Sequence, residues 1–144
     1  MLPMGLEFTV CWAFTEDECP TLDYLEELKA EDVDCFYAVV DGIEKIQSSD
    51  YLREPTVKSL PINKQVKDLF ELRVQGGSSK RYSRIALVYT KAREVVLLNG
   101  ITKKSNKATK KFTDRAVKLR NHIKAEEMDY EQIPIEEIKH SLKQ

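Results

Sequence analysis

Three stretches decide the fold: Asp68-Leu69-Phe70-Glu71-Leu72-Arg73-Val74, Arg81-Tyr82-Ser83-Arg84-Ile85-Ala86-Leu87-Val88-Tyr89 and Glu94-Val95-Val96-Leu97-Leu98-Asn99-Gly100-Ile101. Each is rich in β-branched, aromatic and aliphatic residues, as strands are. The turn-forming run Gln75-Gly76-Gly77-Ser78-Ser79-Lys80 separates the first two, and the short Thr90-Lys91-Ala92-Arg93 separates the second and third. Consecutive strands with short connections favour an antiparallel meander. Side chains alternate across a strand. Tyr82, Arg84, Ala86 and Val88 therefore share one face, opposite Ser83, Ile85, Leu87 and Tyr89. Arg73 points away from Phe70, Leu72 and Val74.

Upstream of this meander, residues 6–14 read as a first strand and Pro20 marks a boundary. Leu22, Leu25 and Leu28 then recur at helical spacing. A second helix follows, with Val33, Phe36, Val39, Val40, Ile43 and Ile46 on one stripe. Residues 50–68, with Pro55 and Pro61, read as an irregular connection. Downstream, a third helix is expected from about Thr109, with Phe112, Ala116, Leu119 and Ile123 on one face. Pro134, Ile135, Ile138 and Leu142 indicate a short terminal helix. The order is strand, two helices, three strands, helix, an α+β arrangement in which the helices cover one sheet face and leave the other open for function.

With 144 residues, 42% apolar and 33% charged, the chain has the size of one domain. Its longest apolar run, Val95 to Leu98, is far shorter than a membrane span, and the N-terminus lacks an export signal. Three cysteines without a CxxC pair, and only His122 and His140, disfavour a disulfide framework or structural zinc and point to the cytosol. The net charge of −1 conceals a strong asymmetry. Residues 1–60 carry a net −10, residues 61–124 a net +13 and residues 125–144 a net −4. A basic middle flanked by acidic segments suggests a polyanion-binding surface.

The motifs themselves carry a resemblance. Leu69-Phe70-Glu71-Leu72-Arg73, Tyr82-Ser83-Arg84-Ile85 and Val96-Leu97-Leu98-Asn99-Gly100-Ile101-Thr102-Lys103-Lys104-Ser105-Asn106-Lys107 resemble the phage-derived HigB-like branch of the RelE/ParE toxin superfamily. In that branch an L-x-E-L-R strand and a Y-R-I/V strand precede a lysine-rich run before the last helix. Cys19-Pro20-Thr21-Leu22-Asp23-Tyr24-Leu25-Glu26-Glu27-Leu28 is similar to the family's opening. The resemblance spans about residues 6–124. Ile101 stands where the family usually has an aromatic residue, and Ala108-Thr109 replaces its usual Thr-Pro.

This resemblance implies a RelE/ParE-like α+β fold: a small antiparallel sheet with two N-terminal helices and a C-terminal helix packed on it. It divides the chain into a toxin domain, residues 1–124, and an acidic extension, residues 125–144, which matches no part of the family and is read either as lying over the basic face or as a solvated appendage. The implied function is the toxin of a type II toxin-antitoxin system, a ribosome-dependent messenger-RNA endonuclease held inactive by a cognate helix-turn-helix antitoxin. The implied partners are thus antitoxin, ribosome and mRNA, with no membrane, metal or small-molecule cofactor.

Attack of a 2′-hydroxyl on its own phosphate requires deprotonation of that hydroxyl, stabilisation of a dianionic phosphorane and protonation of the 5′-oxygen. Arginine suits the second task, since its donor fork matches phosphate and stays charged. Arg73 and Arg84 are the first candidates, followed by Lys103 and Lys104. Tyr82, on the side of Arg84, is placed to stack on a base or donate a proton, whereas Tyr89 reads as core. His122, near the end of the last helix, is a further catalytic candidate, although a histidine there also suits the helix dipole. Arg81, Lys107, Lys110 and Lys111 read as RNA-guiding cations. Gly76 to Lys80 lacks phosphate-loop spacing and reads as a hairpin turn. Two other classes share this fold and charge: a non-nucleolytic toxin of the gyrase-inhibiting kind, and an inactive RNA- or antitoxin-binding member.

Overall fold

The computed structural model describes residues 8–47, 57–60, 68–76, 81–90, 92–103 and 109–141. In chain order these form β1 (Thr9–Phe14), α1 (Pro20–Glu31), α2 (Val33–Gln47), β2 (Val57–Ser59), β3 (Phe70–Gly76), β4 (Arg81–Tyr89), β5 (Glu94–Lys103), α3 (Lys110–Lys124), β6 (Asp129–Gln132) and α4 (Ile135–Ser141). The described strands make one sheet in the order β2-β3-β4-β5-β1-β6.

The expected meander is present, β3 pairing antiparallel with β4 and β4 with β5. The sheet as a whole is mixed, which corrects the expected antiparallel sheet. β1 runs parallel to β5, and β6 closes the far edge antiparallel to β1. Parallel neighbours require a long crossover, and α1 and α2 lie within the connection from β1 back to the sheet.

A second correction concerns the helices, which occupy both faces. On one side Val10, Trp12, Leu72, Ile85, Leu87, Val95 and Leu97 meet the stripes of α1 and α2, with Ile133 and Ile135. On the other, Cys11, Ala13, Ala86, Val88, Val96 and Leu98 meet Phe112, Ala116 and Leu119 of α3. The unbroken apolar runs Ile85 to Val88 and Val95 to Leu98 are what burial on both faces demands. A half-polar strand would have left α3 nothing to pack on.

Asp32 sets the junction between α1 and α2. Its Oδ1 accepts from the Cys35 amide at 3.2 Å, satisfying a free N–H at the start of α2. The first helix is bolted to the sheet at Gly100, over which the Tyr24 ring lies so closely that an added Cβ would sit 2.4 Å from it. The Tyr24 hydroxyl bonds Thr102 Oγ1 at 2.5 Å, and Ser83 Oγ bonds the same Thr102 atom at 2.9 Å. Burial, outweighing these hydrogen bonds, raises the Tyr24 pKa, so the hydroxyl stays protonated.

The C-terminal segment is built into the domain. β6 extends the sheet beyond β1, fixed by Trp12 Nε1 donating to Glu131 Oε1 at 3.2 Å, and Lys139 of α4 pairs with Glu44 of α2 at 2.7 Å. Instead of lying over the arginine-bearing strands β3 and β4, it joins the sheet at the opposite edge. The short terminal helix is present as α4. Two strands, β2 and β6, stand where none was expected.

Candidate active site

The register of β3, β4 and β5 assembles the site on the face toward α3. Cα partners in antiparallel strands place their side chains side by side, with Cβ atoms about 4.5–5.5 Å apart. Arg73 lies opposite Arg84, and Arg84 opposite Ile101; in the next row Gln75 lies opposite Tyr82, and Tyr82 opposite Lys103. The structure thus brings together four of the expected residues, Arg73, Arg84, Tyr82 and Lys103, in two adjacent rows across three strands.

Lys103 owes its place to an irregularity. Leu87 pairs with Leu97 but Ile85 with Gly100, so Ala86 faces the two residues Leu98 and Asn99. One extra residue in β5 reverses its alternation from that point. Val96 and Leu98 face α3 before the bulge; after it, Ile101 and Lys103 do so, while Gly100 and Thr102 turn toward Tyr24. Asn99 Nδ2, at the bulge, donates to the Phe112 carbonyl of α3 at 3.3 Å. The same residue that breaks the alternation thereby fixes the first turn of the helix flanking the site.

The two arginines differ. Arg84 is 5% exposed, and its Nη1 donates to Glu71 Oε1 at 2.5 Å. Glu71, 3% exposed, stands two residues before Arg73 on the same strand face, and its Oε2 has no hydrogen-bond partner among the described residues. Arg73, Tyr82 and Lys103 are part-exposed. Glu71 was missed in the sequence. The signal was an acid in phase with Arg73 on a strand whose other neighbours are apolar.

The start of α3 adds positive potential. Thr109 caps the helix, its Oγ1 accepting from the Phe112 amide at 3.1 Å, and no acid follows in the first turn. Lys110 and Lys111 are exposed there, Lys110 lying 3.8 Å from Asp114. Cations at a helix N-terminus oppose the dipole, and together with the unpaired N–H groups they make that end anion-seeking.

Other candidates lie elsewhere. Arg81 projects to the α1–α2 side and pairs with Asp32 at 3.6 Å, away from Arg84. His122 sits 3.4 Å from Glu127 in a depression shared with Thr15, Glu18, Arg115 and Met128, none of them on β3, β4 or β5. Tyr89 packs on Phe70, ring centroids 4.5 Å apart, on the α1–α2 side. Lys104, Lys107 and the turn from Gly77 to Lys80 lie outside the described residues. Among the described residues no group of three or more His, Cys, Asp or Glu is placed to hold a metal ion, and no helix is long and apolar enough to cross a membrane.

The profile of the family described as Phage derived protein Gp49-like (DUF891) matches residues 23–121. The chain belongs to the Gp49-like family. This is a RelE/ParE-like toxin family, associated with the toxins of toxin-antitoxin systems. The Gp49-like match runs from within α1 to within α3 and contains every residue of the two cross-strand rows, whereas β1, β6 and α4 lie outside it. A comparison with curated proteins returns no match.

Proposed function

We propose that this Gp49-like chain is the HigB-like toxin of a type II toxin-antitoxin system and cuts messenger RNA on the ribosome by 2′-hydroxyl attack. The observation that carries this reading is the pair of cross-strand rows, Arg73–Arg84 and Tyr82–Lys103, on one sheet face beside the positive start of α3. Arg73 and Lys103 contact the scissile phosphate and stabilise the phosphorane as negative charge develops. Arg84, buried beneath them, adds its charge to the field. Tyr82 stacks on a base or donates the proton to the departing 5′-oxygen. Lys110 and Lys111 guide the RNA backbone by counterion release. The protein works in the cytoplasm, without metal or small-molecule cofactor, and a helix-turn-helix antitoxin restrains it.

Inducing the protein in cells that lack the antitoxin, and mapping new 5′ ends on mRNA for wild type and Arg73→Ala, tests this reading. Codon-phased cuts are expected with wild type and should vanish in the variant. Growth arrest without cuts would favour the gyrase-inhibiting class, and neither arrest nor cuts an inactive binding member.

A further inference from the structure

The half of β5 that carries Lys103 is held differently from the half before it. Up to Leu97 the strand is flanked on both sides, by β4 and by β1, whose register with it ends at Trp12 opposite Leu97. From the bulge onward only β4 pairs with it among the described strands. A strand paired on one side past a bulge has a ready competitor, the register without the extra residue. There Ala86 would face Leu98 alone, Ile85 would face Asn99 and Tyr82 would face Thr102. Lys103 would then turn to the α1 side, away from Arg73 and Arg84.

Three hydroxyls favour the bulged register. In it Thr102 Oγ1 bonds the Tyr24 hydroxyl at 2.5 Å and Ser83 Oγ at 2.9 Å, and the Tyr24 hydroxyl also reaches the Ile101 carbonyl at 3.4 Å. Turning Thr102 to the other face would strip Tyr24 and Ser83, the latter 1% exposed, of the oxygen they share, and a buried hydroxyl that loses its partner is costly.

We propose that Tyr24 is the positioning residue for Lys103: its hydroxyl, through Thr102, pins the bulged register of β5 and so keeps the lysine on the side of Arg73 and Arg84. The inference rests on the endonuclease reading for the role of Lys103. A helix on one face of the sheet thereby governs a side chain on the other. A lysine already in place meets the phosphorane without first being ordered, whereas a strand end that samples both registers presents it only part of the time. Misplacing a group by about 1 Å can cost about 100-fold in rate.

Tyr24→Phe keeps the ring over Gly100 and removes only the hydroxyl, and Thr102→Val removes the oxygen it bonds with little change of shape. Amide hydrogen exchange along β5 reports the register, and kcat and KM on ribosomes carrying one defined mRNA report the site. In both variants residues 100–103 should exchange about tenfold faster while residues 95–97 keep wild-type protection, and kcat should fall about tenfold. In a Lys103→Ala background either substitution should lower kcat less than about twofold further, because the group being positioned is gone. Wild-type exchange at residues 100–103, exchange that accelerates equally along all of β5, wild-type kcat in both variants, or a kcat loss as large without Lys103 as with it would each overturn the proposal. So would failure of both variants to fold, since the hydroxyls would then serve the folding of the domain rather than the lysine. If wild type does not cut but the variants still loosen residues 100–103 selectively, the endonuclease reading fails and the pinning of the register by Tyr24 stands.

Discussion

Arg73 and Arg84 look equivalent as letters in two strands, and the structure separates them by burial and by partner. Arg84→Ala would leave the Glu71 carboxylate buried without its cation, a loss of about 3–5 kcal/mol. Urea unfolding should show it. Arg73→Ala, at a part-exposed position, is expected to change stability by less than about 1 kcal/mol while lowering cleavage on the order of 10²–10³-fold, as losing one transition-state donor does. Asp68 shows the same logic in a purely structural group. Burial would raise its pKa, but hydrogen bonds from Lys124 and Arg120 outweigh this and hold it below the usual carboxylate range. A carboxyl whose folded pKa is depressed contributes stability above its unfolded pKa, near 3.8, and loses it as pH falls through the lower folded value. Asp68→Asn should therefore cost about 1 kcal/mol at pH 7, modest because the side chain is partly solvated, and nothing once both states are protonated. Cys11 has its pKa pushed up to about 11 by burial and then by Glu94. In native protein at pH 8 it should remain unmodified by a thiol reagent that labels the unfolded chain at once.

At the scale of elements, the long amphipathic and apolar runs were legible because their periods are strong. α2 occupies Val33–Gln47 and β4 occupies Arg81–Tyr89, as their patterns predict. β2 escaped notice because three residues between prolines carry no period, and β6 because Asp129-Tyr130-Glu131-Gln132 is polar and is a strand only through pairing with β1. The bulge at Leu98–Asn99 was equally invisible. Nothing in Leu97-Leu98-Asn99-Gly100 announces an extra residue until Leu97 and Gly100 are seen to pair with Leu87 and Ile85. Strict alternation from Leu98 would have sent Lys103 to the Tyr24 side. The site is therefore a product of register as much as of motif. Gly100 guards that register, since an added methyl would meet the Tyr24 ring. Gly100→Ala is expected to cost about 1–3 kcal/mol, typical of an overpacked contact, and to lower cleavage together with stability. Thermal unfolding and a cleavage assay on the same preparation would check both.

For the whole molecule, the basic excess of the middle of the sequence maps more onto α3, with six Lys and Arg against one Asp, than onto β3 to β5, with four bases against two acids, while the acidic C-terminal segment joins the far edge of the sheet through β6. Sequence charge alone could not distinguish an acidic tail folded over the basic face from one completing the far edge; Ile133 and Ile135, buried in the core with Val10 and Trp12, decide it. Truncation after Lys124 should expose this apolar surface and cost on the order of 4 kcal/mol from those two isoleucines, without the rise in RNA affinity that removal of an autoinhibitory tail would give. Differential scanning calorimetry and RNA titration of the truncated chain would show it. The α+β class and the candidacy of Arg73, Arg84, Tyr82 and Lys103 were legible in the sequence, whereas strand order, the second covered face, the turn of Lys103 toward α3 and the partner of Arg84 depended on long-range packing. The most direct test of the central claim is the end chemistry of mRNA cut by purified protein on programmed ribosomes. Upstream fragments ending in a 2′,3′-cyclic phosphate and downstream fragments beginning with a 5′-hydroxyl, both lost in Arg73→Ala, are the expected result. Fragments with 5′-phosphate ends, or cutting that persists undiminished in Arg73→Ala, would contradict it.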